Sequence, residues 1–114
     1  MFETLKNLLN KCRRAKIRHY FIVPVREGAS DLAVEEQVQI MRNVKKQLPQ
    51  IKAINVGRNK QLVGGEDMVF MSADFVSFED LEIFLDSPQH ANIFVSIFEV
   101  LKIEEMISGQ VMID

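Results

Sequence analysis

Apolar and polar residues alternate from position 17 to position 26, and this two-residue period predicts a β-strand. Its apolar face carries Ile17, His19, Phe21, Val23 and Val25. Pro24 has no amide hydrogen to donate, so it suits the end of a strand or the edge of a sheet. Three further strands are predicted over 51–57, 68–76 and 109–113. In the first of these, alternation is expected to place Ile51 and Ala53 on one face.

The remaining segments have the three- and four-residue spacing of helices. Residues 32–48 predict an amphipathic helix that ends before Pro49. Ser77 is the expected cap of a short helix that breaks at Ser87-Pro88. The stretch 89–104 is apolar on nearly every side, which predicts a single helix that needs cover in more than one direction.

The resulting order, β-α-β-β-α-β, is that of a ferredoxin-like α+β fold. Helices on one face of a four-stranded sheet leave the other face bare. In a chain of 114 residues, a second copy is the simplest cover for the apolar residues there. The sequence therefore predicts a homodimer.

Residues 1–16 are predicted to form an extra N-terminal amphipathic helix in front of a domain over 17–114. Its apolar positions are Phe2, Leu5, Leu8, Leu9 and Cys12. Three uses are open to such a helix: packing on the domain or on a partner subunit, contact with an anionic membrane, or targeting. Packing is the use we favour, and membrane contact is not expected.

Composition excludes several classes of protein. Apolar residues make up 47% and charged residues 26% of the chain, as in ordinary globular domains. A single cysteine excludes an internal disulfide, and the sequence has neither a membrane-spanning run nor the apolar core of a signal peptide, so we expect a cytoplasmic protein. The net charge is −2 and basic residues cluster only in 1–18, so no nucleic-acid partner is expected. No metal-ligand spacing is present, and neither a metal nor another cofactor is expected.

Four short motifs carry a resemblance to a known family. The run Ile17-Arg18-His19-Tyr20-Phe21-Ile22-Val23 resembles the opening strand of the stress-responsive dimeric α/β-barrel (Dabb) domain family. Val56-Gly57 is similar to the end of that family's second strand, and Phe75-Val76-Ser77-Phe78-Glu79-Asp80-Leu81 to its strand-to-helix junction. Ser87-Pro88-Gln89-His90 resembles its His-Pro-x-His turn. The resemblance covers about 17–114 and implies a homodimer whose two sheets close into one barrel, with a cavity between the sheet and the helices of each subunit.

The same resemblance implies candidate site residues. A plant polyketide cyclase of the family uses the last histidine of the turn together with a tyrosine, and these positions fall here on His90 and Phe84. Phenylalanine has no hydroxyl group, and Ser87 replaces the first histidine of the turn, so the cyclase reaction is not expected.

The predicted ligand-binding residues are His19, Phe21, Val23, Phe84, His90 and Phe94. His90 is the candidate general acid or base, because a histidine titrates near neutral pH. The alternative is that its side chain anchors the turn by hydrogen bonding. His19 lines the same cavity or is an ordinary core histidine, and Asp74 is expected to be solvated near a strand end.

Two functions follow from these residues. The first is the binding of a small apolar molecule in a cavity near His90, with any catalytic activity left unassigned. The second is a non-catalytic assembly or stress protein whose oligomer is itself the function.

Overall fold

The computed structural model describes residues 13–113. The elements are β1 Ile17–Pro24, α1 Asp31–Gln47, β2 Ile51–Arg58, β3 Met68–Phe75, α2 Phe78–Leu85, α3 Pro88–Ile93, α4 Ile97–Val100, a 3₁₀ turn Ile103–Glu105, and β4 Ile107–Met112. The predicted N-terminal helix falls largely on residues 1–12, which lie outside the described part of the chain. Residues 13–16, where it was predicted to end, form no helix.

The four strands form one antiparallel sheet in the order β2-β3-β1-β4. This is the predicted ferredoxin-like α+β fold. The register places the apolar face of β1 opposite Phe75, Ala73, Met71 and Val69 of β3, and all of these residues are buried. Pro24 ends β1, as its missing amide hydrogen predicts.

Strand β2 departs from the predicted alternation. A β-bulge between Ile51 and Ala53 changes which side chains share a face: Ile51 pairs with Phe75, but Ala53 pairs with Asp74 on the opposite face. Beyond the bulge, Ile54 and Val56 point towards the helices. The expectation that Ile51 and Ala53 lie on one face is therefore wrong.

The prediction of a single helix over 89–104 is also wrong, because the segment is divided into α3, α4 and the 3₁₀ turn. Gln37 of α1 explains the first break. Its side-chain amide donates a hydrogen bond of 3.0 Å to the carbonyl of Ile93, the acceptor that Ile97 would need in a continuous helix. The division also lets Ile97 stay fully buried while Val95 is 81% exposed, so the apolar residues are not all covered.

No helix of residues 13–113 covers the second face of the sheet. Three rows of side chains cross β3, β1 and β4 there: Phe70, Ile22 and Ile107; Ser72, Tyr20 and Gly109; Asp74, Arg18 and Val111.

The Arg18 guanidinium donates two hydrogen bonds to the Asp74 carboxylate, at 2.8 and 3.0 Å. Asp74 is only 5% exposed, which corrects the expectation that it is solvated. Phe70 and Ile107 on this face are exposed.

None of the helices in the described part of the chain is both long and apolar enough to cross a membrane.

Candidate functional site

A cavity of about 190 Å³ lies between the helix-covered face of the sheet and helices α2 and α3. It is lined by His19, Phe21, Met71, Phe84, Leu85, His90, Ile93, Phe94, Met106 and Ser108. The structure therefore brings together every predicted ligand-binding residue except Val23. Val23 is fully buried in the core and does not line the cavity.

The turn that carries His90 is held by Ser87. The Ser87 hydroxyl donates to the carbonyl of Phe84 at 2.6 Å and accepts from the backbone N–H of His90 at 3.0 Å, which caps α3. The imidazole of His90 makes no hydrogen bond within residues 13–113. Ser87 thus fixes the turn that His90 was alternatively expected to anchor, and the imidazole faces the cavity with unused hydrogen-bonding groups.

Aromatic rings hold the His90 imidazole in place. Phe84 and Phe94 each lie with their ring centroid 5.0 Å from that of His90, in edge-on arrangements. Phe84 also lies 6.4 Å from the ring of His19. Phe84 is therefore between the two imidazoles, and its side chain has no polar group with which to assist either of them.

His19 projects from the central strand β1 and has a partner on β4. Gln110, which pairs with His19 across the sheet, places its side-chain Nε2 2.9 Å from Nδ1 of the imidazole. With this amide nitrogen donating, Nδ1 is the acceptor and the ring proton of neutral His19 is on Nε2. Nε2 has no hydrogen-bond partner of its own among the described residues.

Burial lowers the pKa of both histidines below the ordinary value of 6.5. For His19 the charge of a protonated His90 lowers the pKa further. Both side chains are consequently neutral at pH 7, and a neutral imidazole is the form that accepts a proton as a general base.

Residues 13–113 bring no other ionisable group to the site. Within the described ranges, no carboxylate, lysine or arginine lines the cavity, and no group of His, Cys, Asp or Glu side chains is arranged to hold a metal ion. The polar side chains that the described residues bring to the cavity are therefore His19, His90 and Ser108, which can form hydrogen bonds, and the two imidazoles can also transfer protons.

Sequence reasoning missed several residues of the site: Met71, Leu85, Ile93, Met106, Ser108 and the His19 partner Gln110. Met71 and Ser108 are the neighbours of Phe21 on the two adjacent strands. Their place in the cavity follows from the strand order and register, which no pattern within a single strand contains.

Several solved structures share this fold. A dimeric ferredoxin-like protein of unknown function from Thermobifida fusca is 19% identical, with 87% of this chain and 92% of that chain covered and a TM-score of 0.74. The hydroxynitrile lyase from Passiflora edulis is 15% identical, with 88% and 94% covered and a TM-score of 0.73. A protein from Arabidopsis thaliana is 19% identical, with 86% and 95% covered and a TM-score of 0.69. At these identities the likeness establishes the fold alone.

No curated protein matches the sequence. The family model of the stress responsive A/B barrel domain matches residues 17–108.

Proposed function

The chain belongs to the stress-responsive A/B barrel domain family, and we propose that it is a homodimer in which each subunit binds a small apolar molecule beside His90. The observation that carries this proposal is the cavity itself. Phe84 and Phe75 are completely buried, but they do not fill the cavity. Concave, mostly apolar sites with a few polar groups are the usual form of small-molecule sites.

The polar groups in the cavity support ligand binding rather than simple packing. The imidazole of His90 and Nε2 of His19 have no hydrogen-bond partner among the described residues. Neither histidine has a fully buried nitrogen without a partner, so these groups are open to a molecule that enters the cavity. A bound molecule or water would satisfy them.

If the protein is an enzyme, His90 is the candidate general base or acid. It is half-buried, it faces the cavity, and burial lowers its pKa so that it is neutral at pH 7. Phe84 offers no second proton donor or acceptor, so a reaction that depends on a tyrosine at this position is not proposed.

The test compares the wild type with His90→Ala in a thermal-shift screen of small aromatic and aliphatic compounds. Asn92→Ala is the control, because Asn92 is exposed on the same helix and does not line the cavity. We expect some compounds to raise the Tm of the wild type and of Asn92→Ala. The same compounds should raise the Tm of His90→Ala by less. An identical response of all three proteins would remove His90 from the site.

The uncovered sheet face supports the homodimer. Phe70, Ile107 and Val111 are 40%, 65% and 46% exposed there, on β3 and β4, which flank β1 in the sheet. A second copy of the same face would cover these side chains through a two-fold interface. The Thermobifida fusca protein, which shares this fold, is described as dimeric.

A non-catalytic assembly protein, whose oligomer is itself the function, is the second candidate. The exposed apolar sheet face favours it, as does Phe84 at the position where the cyclase has a tyrosine. This candidate predicts that no compound stabilises the protein in the same screen. It also predicts that variants of the sheet face lose the oligomer while cavity variants keep it.

A further inference from the structure

The size of the cavity limits the ligand. At about 190 Å³, it is somewhat larger than an engineered apolar cavity of about 150 Å³ that binds benzene. A single six-membered ring with one small substituent fits this space.

The electrostatics of the lining limit the charge of the ligand. The two imidazoles are the only titratable groups among the described residues that line the cavity. Charged side chains on the surrounding elements lie outside the lining: Glu79, Asp80, Glu82 and Asp86 on or beside α2, Glu99 on α4, Lys102, Glu104 and Glu105 near Met106, and Arg18 and Asp74 on the opposite sheet face. An ion entering the cavity would lose its hydration without meeting an opposite charge.

The unused imidazole groups define what the ligand must offer. Gln110 occupies Nδ1 of His19, so neutral His19 presents one N–H donor at Nε2. Neutral His90 has one donor and one acceptor, and neither is used by the described residues. A hydroxyl group, which both donates and accepts, complements this pair, and a carbonyl oxygen complements the donors.

We propose that the cavity selects an uncharged single-ring compound with one hydroxyl or carbonyl group over the anion or the cation of the same size, and that protonation of either imidazole weakens its binding. This inference rests on the proposed small-molecule function and adds the chemical class of the ligand and its dependence on pH. Protonation converts a donor–acceptor imidazole into one with donors only, and it places a charge in an apolar space.

Three probes of nearly equal size test the selectivity: benzyl alcohol, benzoate and benzylamine. Their dissociation constants are measured by two-dimensional amide NMR at pH 7.5 with the full-length chain. We expect benzyl alcohol to bind at least about tenfold more tightly than either ion, because only the ions leave a charge unpaired in the cavity. The shifted amides should be those of residues that line the cavity.

Benzyl alcohol does not titrate near neutral pH, so it also tests the proton dependence. We expect its binding to weaken as the pH falls below 6.5, the ordinary histidine value, since burial lowers the pKa of both imidazoles. His19→Gln and His90→Gln retain a polar side chain that does not titrate. Each single variant should bind benzyl alcohol at pH 7.5 and lose less affinity than the wild type at low pH. The affinity of the double variant should not depend on pH.

Each outcome decides a different point. Benzoate binding as tightly as benzyl alcohol, with proton uptake, would overturn this inference and leave the proposed function standing. Equal pH dependence in the wild type and the double variant would remove the imidazoles from the effect. Failure of all three probes to bind at millimolar concentration would overturn both the proposed ligand site and this inference.

Discussion

The side-chain amide of Gln37 on α1 donates a hydrogen bond of 3.0 Å to the backbone carbonyl of Ile93, at the end of the helix that carries His90. The amide oxygen of Gln37 in turn accepts from the Ser96 hydroxyl at 3.0 Å. Gln37 is 1% exposed. It therefore replaces a missing helical hydrogen bond and fixes the position at which the chain breaks beside the cavity.

Replacing Gln37 with methionine, which has a similar shape, should destabilise the protein. The carbonyl of Ile93 and the hydroxyl of Ser96 would both lose a partner, and one unsatisfied buried group costs about 1–3 kcal/mol. Urea denaturation measures this loss of free energy of unfolding. Gln39→Met is the control, since Gln39 is exposed on the same helix and bonds only to Glu35. Equal stability of the two variants would contradict the role of Gln37.

The hydrophobic pattern was sufficient for the element order, because most elements have one buried face. The alternation in β1 and the helical spacing of α1 each follow from burial on a single side. Ser77 caps α2 as predicted, since capping depends on a few neighbouring residues, and Ser30 caps α1 in the same way.

The pattern failed where a contact between distant residues determined the backbone. The break after Ile93 depends on Gln37, which is 56 positions away in the chain. One signal was available: Gln37 is a polar residue within the apolar stripe of α1, next to Val38 and one turn after Val34. In β2, the three-residue step from Ile51 to Ile54 indicated the bulge.

The candidate site was predictable in part. His19 and Phe21 follow from the apolar face of β1, Phe84 and His90 from the family resemblance, and Phe94 from the apolar stretch 89–104. All of them line one cavity. Val23 shares the strand face with His19, but it lies further along the strand, away from α2 and α3. Gln110 was not predicted, because its pairing with His19 depends on the register between the first and last strands.

Acid should destabilise the fold through the cavity histidines. Their pKa values are lower in the folded protein than the ordinary 6.5, so the unfolded chain binds more protons below that pH. The contribution of the neutral histidines to stability is then fully present above pH 6.5, and it falls as the pH drops towards the folded-state pKa values. Asp67 and Glu104 do not account for this window, because the pKa of each carboxyl lies below its ordinary value. A hydrogen bond from Arg58 lowers the pKa of Asp67, and a backbone hydrogen bond, together with Arg26, lowers that of Glu104.

The measurement is urea denaturation from pH 7.5 to pH 5. The slope of unfolding free energy against pH should be smaller in His19→Gln and smallest in the double variant His19→Gln/His90→Gln. A double variant that loses as much stability as the wild type over this range would assign the effect to other groups.

Gly109 allows the ring of Tyr20 to lie against the outer face of β4. A Cβ atom at position 109 would lie 2.8 Å from the Tyr20 hydroxyl oxygen, so Gly109→Ala should displace the ring. The chain has one tyrosine and no tryptophan, so intrinsic fluorescence reports Tyr20 alone. We expect Gly109→Ala to change the intensity of this emission. Gly57→Ala, with no atom within 4 Å of its new Cβ, should leave it unchanged, and equal spectra for both variants would contradict the contact.

Charges on the uncovered sheet face should dissociate the proposed homodimer. In a two-fold interface each substitution occurs twice, so Phe70→Glu or Ile107→Glu would bury two new carboxylates and remove two apolar contacts. Loss of one apolar side chain's burial is worth about 1.5–3 kcal/mol, and each 1.4 kcal/mol is about a tenfold change in Kd. We therefore expect the dimer Kd to rise by more than about a hundredfold.

Light scattering coupled to size-exclusion chromatography should give a dimer mass for the wild type and a monomer mass for both variants. Leu62→Glu is the control, because Leu62 is 86% exposed in the β2–β3 loop and should remain dimeric. A wild type that is monomeric at high concentration, or variants that keep the dimer mass, would show that this face is not the interface.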